Sequence, residues 1–238
     1  MSHRECAKAT FKIVVTGPDG SIREVVEGER PDPFTYSFLN VFLANITGPN
    51  SSITIYDPFG NGYVFDFVTP SPSTSLGYLA ASFCLTNCPN AGSTPPNGPG
   101  IWLFETVPAP GITSGWSIYS YFEIISPYLI YGLSYSPLTI SVSSSSPSSP
   151  GDIVYQLYNI AQSITNTLSS PVNVYTIVLV GAVYGSLSAS PVYVPITFYM
   201  FSPPIVLSPG VTMTVTVTLS FPYGIAGSRT SGSTGFAF

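Results

Sequence analysis

The most regular alternation in the chain is in VTMTVTVTLSF (211–221). Val211, Met213, Val215, Val217 and Leu219 interleave with Thr212, Thr214, Thr216 and Thr218. Period 2 over this length predicts an antiparallel strand with one apolar face and one hydroxyl face. Upstream, VYVPITFYMF (192–201) reads as its pairing partner. TFKIVVT (10–16) and SIREVVE (21–27) flank Pro18-Asp19-Gly20, a hairpin signature. SITIYD (52–57) and YVFDFV (63–68) flank PFGNG, with Tyr63, Phe65 and Phe67 on one side and Val64, Asp66 and Val68 on the other. Further strands are expected at 76–84, 101–106, 116–125, 128–136 and 138–143. YTIVLVGAVYG (175–185) is apolar without alternation and reads as a fully buried strand.

Two segments depart from this pattern. FTYSFLNVFLAN (34–45) is too continuously apolar for period 2 and predicts a short buried helix from about Tyr36 to Ala44. In DIVYQLYNIAQSITNTL (152–168), Ile153, Leu157, Ile160 or Ala161, and Ile164 also fit helical spacing. The strand reading is preferred there, because the segment leads through Ser169-Ser170-Pro171 into what looks like the return strand of a hairpin. TNCPNAGSTPPNGPG (86–100) and SVSSSSPSSPG (141–151) read as long loops within one domain, since the pieces on either side have too few strands to close two sandwiches. The expectation is all-β: an antiparallel β-sandwich at 10–222, preceded by an arm at 1–9 and followed by a Gly/Ser-rich tail at 223–238.

Composition changes the picture. Apolar content is an ordinary 45%, but charged residues make up only 7%, against roughly 25% in an average soluble domain. With 16 Tyr, 15 Phe and 2 Trp the chain does not resemble a disordered one. The charge is also unevenly placed: residues 33 to 228 contain neither Lys nor Arg, and DGSIREVVEGERPD (19–32) has seven charged residues in fourteen. Six basic residues and a net charge of −5 argue against specific nucleic-acid binding, which needs a basic patch. His3, Arg4, Lys8 and Lys12 read as a solvated basic arm. No stretch has the length of a membrane span, and the first strand is not preceded by an apolar leader, so a signal peptide is not expected.

Candidate chemistry is sparse. Cys84 and Cys88 in CLTNC can close a small disulfide ring or remain two free thiols. A zinc set of His3, Cys6, Cys84 and Cys88 lacks the paired, tightly spaced ligands of zinc motifs, so no metal is expected. Asn45-Ile46-Thr47 and Asn50-Ser51-Ser52 match the N-glycosylation pattern, with chance matching in a Ser/Thr-rich chain as the stronger reading. The lone His3 gives no base for a nucleophilic triad. Glu105 and Glu123 can be offered as a glycosidase pair on neighbouring strands, with Trp102 and Trp116 as sugar platforms, but both Trp are more often core residues. GPDG and FGNG precede strands rather than helices, so neither is a phosphate loop. No enzyme and no cofactor are expected.

Few titrating groups mean little dependence of stability on pH, and five acidic residues follow position 32. A shell of hydroxyls, amides and Tyr keeps its hydrogen bonds in acid, where ion-pair networks fail. The body of the chain is thus expected to hold its fold from about pH 7 to about pH 2, with Asp57 and Asp66 beside one turn as its weakest point. The first 32 residues look built for another contact: an interior face, a membrane surface or a neighbouring subunit. Arg23 and Arg30 are the candidate assembly residues, with the loops at 86–100 and 141–151 facing outward.

The succession FTYSFLNVFLANI after a DGSIRE hairpin, then ITNTLSSPVNVYTIVLVG, then PIVLSPGVTMTVTVTLSF, resembles structural virion proteins. These are the single jelly-roll capsid or penton-type proteins of archaeal icosahedral viruses. The resemblance lies in strand order over about residues 10 to 222. It implies an eight-stranded jelly roll, assembly with copies of itself and other virion proteins, location in the virion, and no catalysis. Two other classes share the composition. One is an extracellular filament subunit on the surface of a thermoacidophilic archaeon, joined by strand insertion. The other is a carbohydrate-binding sandwich with Tyr and Trp platforms.

Overall fold

The structure is a computed structural model, and it describes residues 7–31, 34–35, 37–39, 41, 52–58, 61–66, 82–86, 88, 91–92, 94–95, 97–105, 128–146, 149, 152–184 and 191–225. Those residues form twelve strands in three antiparallel sheets. The first sheet has the order β2 (Ile22–Pro31), β1 (Lys8–Thr16), β12 (Thr212–Ile225), β9 (Ile153–Thr165). Beyond β9, β7 (Ser134–Tyr135) and β8 (Thr139–Ser144) pair with it in turn. The second sheet joins β11 (Val192–Leu207) to β10 (Val172–Tyr184), and β10 to both β5 (Ser82–Cys84) and β6 (Gly100–Phe104). The hairpin β3 (Ser52–Tyr56) and β4 (Gly62–Asp66) stands as the third.

The two larger sheets enclose one core, the arrangement of a β-sandwich. Ala9, Phe11, Ile13 and Val15 of β1, Ile160 and Ile164 of β9, and Met213, Val215 and Val217 of β12 meet Ile101, Leu103, Val174, Ile177, Leu179, Ile196 and Ile205 from the facing sheet. Apart from Ala9, each such side chain contributes about 1.5–3 kcal/mol by leaving water. The second sheet is apolar on its other face too: Trp102, Phe104, Val178, Val180 and Phe198 form a separate buried cluster. That is why 175–185 shows no alternation. A third cluster packs Ile55 and Val41 against Val183 and Val194, near helical backbone at 37–39 and 41. This helical geometry lies within the expected 36–44 helix, whose residues 36, 40 and 42–44 fall outside the described ones.

Three expectations are corrected. The 192–201 and 211–221 strands are not partners: β11 pairs with β10, and β12 lies between β1 and β9. Likewise 152–168 is a strand, but β9 and β10 are in different sheets rather than in one hairpin. Both links are arches that carry the chain across the core. Of the supposed loop at 141–151, residues 141–144 belong to β8. The sandwich also takes in Lys8 and Ala9, the latter fully buried, and continues to Ile225, two residues beyond one boundary drawn from the sequence and three beyond the other. The β1–β2 and β3–β4 hairpins stand in the expected places.

One side chain holds both arches. Asn166 is fully buried just after β9. Its Nδ2 donates to the carbonyls of Ser170 (3.0 Å) and Leu207 (2.7 Å), and its Oδ1 accepts from Leu168 N (2.9 Å). Its backbone N–H donates to Val211 O (3.0 Å), and its carbonyl accepts from Gly210 N (2.8 Å). Gln162, 2% exposed, links the sheets further along: Oε1 accepts from Ile101 N (2.7 Å) and Nε2 donates to Ser136 O (2.9 Å).

Candidate assembly interface

The outer face of the first sheet follows from the alternation. Since the odd residues of β1 and β12 point inward, partners in register place hydroxyls and amides in rows outside. One row runs Thr16, Thr212, Thr165; the next Val14, Thr214, Ser163; then Lys12, Thr216, Ala161, Thr139; then Thr10, Thr218, Asn159, Ser141. Hydroxyls bond across strands: Thr165 to Thr212 and Ser163 to Thr214, both 2.8 Å, and Thr218 Oγ1 donates to Asn159 Oδ1 at 2.7 Å. None of these bonds needs a charge.

The charged residues gather at one end of the same face. Lys12 meets Glu27 at 3.1 Å and Lys8 meets Glu29 at 3.7 Å. These pairs are solvent-exposed and each adds at most about 1 kcal/mol. Lys8 and Lys12 thus belong to the sheet rather than to a free arm. At the β1–β2 turn Ser21 donates to Asp19 through both N and Oγ, and these bonds hold the Asp19 carboxyl below its usual range.

The two candidate assembly arginines differ. Arg23 is exposed above the Gly17 turn. Arg30 is half-buried: its guanidinium lies 3.7 Å from the Phe198 ring centroid and donates to Phe198 O at 3.1 Å. It therefore tethers β2 to the β11 edge within the subunit, and beyond the end of β2 Thr35 meets the same edge, its N–H donating to Ile196 O at 2.9 Å. Neighbouring Gly28 is needed because a Cβ there would overlap the Tyr199 ring. The segment 8–31 is part of the core sheet, not an appendage, and Arg30 serves the fold before any partner.

Cys84 and Cys88 are bonded, S–S 2.06 Å. The loop that follows is not a simple outward projection, since Pro95, Gly98 and Pro99 are buried and Trp102 Nε1 donates to Gly98 O at 3.1 Å. Trp102 is 1% exposed, which removes it as a sugar platform. Beside the disulfide, a groove of about 390 Å³ opens between the sheets, lined by Phe38, Leu85, Ile140, Val142, Tyr158, Leu219 and Phe221 among others. At the β3–β4 turn buried Asp57 accepts from Asn61 N (2.9 Å), Asn61 Nδ2 (2.8 Å) and Tyr63 OH (3.3 Å). Burial and then the Asp57 charge raise the Tyr63 phenol above its ordinary value.

His3, Arg4, Cys6, Asn45, Asn50, Phe67, Trp116, Glu123 and the side chains of Phe65 and Asp66 lie outside the described residues. Among the described residues no three His, Cys, Asp or Glu side chains gather as metal ligands, and no helix is long and apolar enough to cross a membrane. Asn166 and Gln162 escaped the sequence reading: Gln162 interrupts the inward-facing run Ile160, Ile164 of β9, and Asn166 follows two residues beyond Ile164, just past the strand's end. No protein-family model, curated protein or solved structure matches the chain.

Proposed function

We propose that the chain is a structural virion protein, a capsid or penton-type subunit that self-assembles into the shell of a virus from a hot acidic habitat. The division of its surface carries the reading: a broad uncharged hydroxyl face over β12, β9 and β8, with Lys8, Lys12, Glu27 and Glu29 confined to the β1–β2 end. Such a subunit meets a hot acidic exterior with groups that do not titrate. It docks through its charged end, where charge selects orientation and partner. The single jelly roll belongs to this proposal. Supporting it, β10 pairs with β11 inside a β9–β12 pair, and the two nested pairs fold over each other through two arches.

A second reading, an extracellular filament subunit, is favoured by the open groove beside β8, which suits an inserted strand. Negative-stain imaging of the purified protein tests both. Closed shells or penton-like rings support the first, and fibres support the second. Monodisperse free subunits under all assembly conditions would refute both.

A further inference from the structure

Three of the sheet edges described, those of β2, β11 and β6, are closed or guarded. β2 carries Arg23, Glu24, Glu27, Glu29 and Arg30, and charge discourages stray pairing. The free side of β11 is met by Arg30 and Thr35. β6 is met by the 128–130 segment, with Ile130 N donating to Leu103 O and Glu105 N to Tyr128 O, both at 2.9 Å. β8 differs. All six of its residues are exposed, none is charged, and Ile140 and Val142 remain 38% and 56% exposed.

The phase of its ladder is fixed by Ser145 N donating to Tyr155 O at 2.8 Å. Antiparallel pairs alternate between bonded and non-bonded, so Thr139, Ser141 and Ser143 face β9. Ile140, Val142 and Ser144 then direct their N–H and C=O groups away from it. Pro137 and Pro147 bracket this window in the sequence. Around Ser141 the strand reads hydroxyl, apolar, hydroxyl, apolar, hydroxyl from Thr139 to Ser143, the same in both directions.

We propose that β8 pairs with β8 of a second copy across a two-fold axis at Ser141, continuing the first sheet from one subunit into the next. The occupant is a second copy because the edge is self-complementary. Ile140 meets the partner's Val142 on the groove face, Ser141 meets the partner's Ser141 outside, and Thr139 meets the partner's Ser143. Outward-pointing residues fall opposite outward-pointing residues, so both sets of backbone groups find partners. β8 itself carries no charge to oppose the approach. An isologous contact of this kind is closed and gives a dimer. The contact rests on the assembly reading only for the premise that copies of this chain meet.

The test is sedimentation of the full chain beside Val142→Pro, which removes an outward N–H and leaves the β9 ladder intact. Circular dichroism and thermal melting confirm that the variant folds. The expected result is a fall from twice the monomer mass to the monomer mass. In a Cys6→Ser background, Ser141→Cys forms a cross-linked dimer on mild oxidation, whereas Ser143→Cys alone does not. A wild-type monomer at every concentration, or an unchanged dimer in folded Val142→Pro, would overturn the proposal. So would a Ser141→Cys protein that fails to cross-link. Normal shells built by Val142→Pro would sink this contact and leave the virion reading standing; β8 dimers that never build shells would do the reverse.

Discussion

Replacing Asn166 with Ala removes three side-chain hydrogen bonds and leaves the backbone of both arches in place. The bond to Leu207 O is buried, so that carbonyl loses its side-chain partner without water to replace it, at about 1–3 kcal/mol. The bonds at Leu168 and Ser170 are only part-buried, and water recovers some of their value, leaving about 0.5–1.5 kcal/mol each. The expected loss is therefore about 4 kcal/mol, or roughly 8–16 °C in melting temperature for a chain of this size. Urea unfolding should show a lower midpoint at an unchanged slope. Asn166→Asp sharpens the test by turning an oxygen toward Ser170 O and Leu207 O. Its folded-state carboxyl is raised above the unfolded one, so this variant recovers stability as pH falls through that value. A loss below about 1 kcal/mol in Asn166→Ala would refute the idea that this side chain clasps the arches.

The two arginines should separate. Arg23→Glu is expected to change stability by no more than about 0.5 kcal/mol, whereas Arg30→Glu loses its ring contact and carbonyl bond and costs about 1–3 kcal/mol; equal melting temperatures would contradict this. Burial holds the Tyr135 phenol well above its ordinary value of 10.0. Above about pH 10 the unfolded chain loses that proton first, so stability falls with rising pH, and Tyr135→Phe should shift alkaline unfolding upward. In acid the full chain should melt within a few degrees of its pH 7 value down to about pH 3. A collapse of the melting temperature between pH 5 and 3 would contradict this.

The strands were legible because β1, β9 and β12 each bury one face and so alternate. Their partners were misread because Ser-Ser-Pro and Ser-Pro-Gly suit an arch as well as a hairpin. The distinguishing signal was present elsewhere. β6, β10 and β11 hold continuous apolar runs, since their sheet is covered on both faces. Strands of like pattern share a sheet, and that comparison separates β12 from β11. The charge asymmetry was equally plain, but not that Arg30 faces inward, which depends on the register of β2 against β1 and on Gly28 admitting Tyr199. Asn166 left no such trace, because its partners are backbone groups, two in its own turn and one at Leu207 in a turn distant along the chain.

The place of β12 between β1 and β9 governs the order of folding. Residues 8–16 and 153–165 have no common sheet until 212–225 fills the gap between them. That closure joins parts of the chain some 200 residues apart, the kind of contact that forms slowly. A chain still being synthesised therefore carries an unfilled slot lined by Phe11, Ile13, Ile160 and Ile164. Any finished copy nearby has its own β12 locked away, but another unfinished copy does not. Crowded synthesis thus invites exchange of β12 between neighbours, giving swapped pairs whose cores match the native one strand for strand.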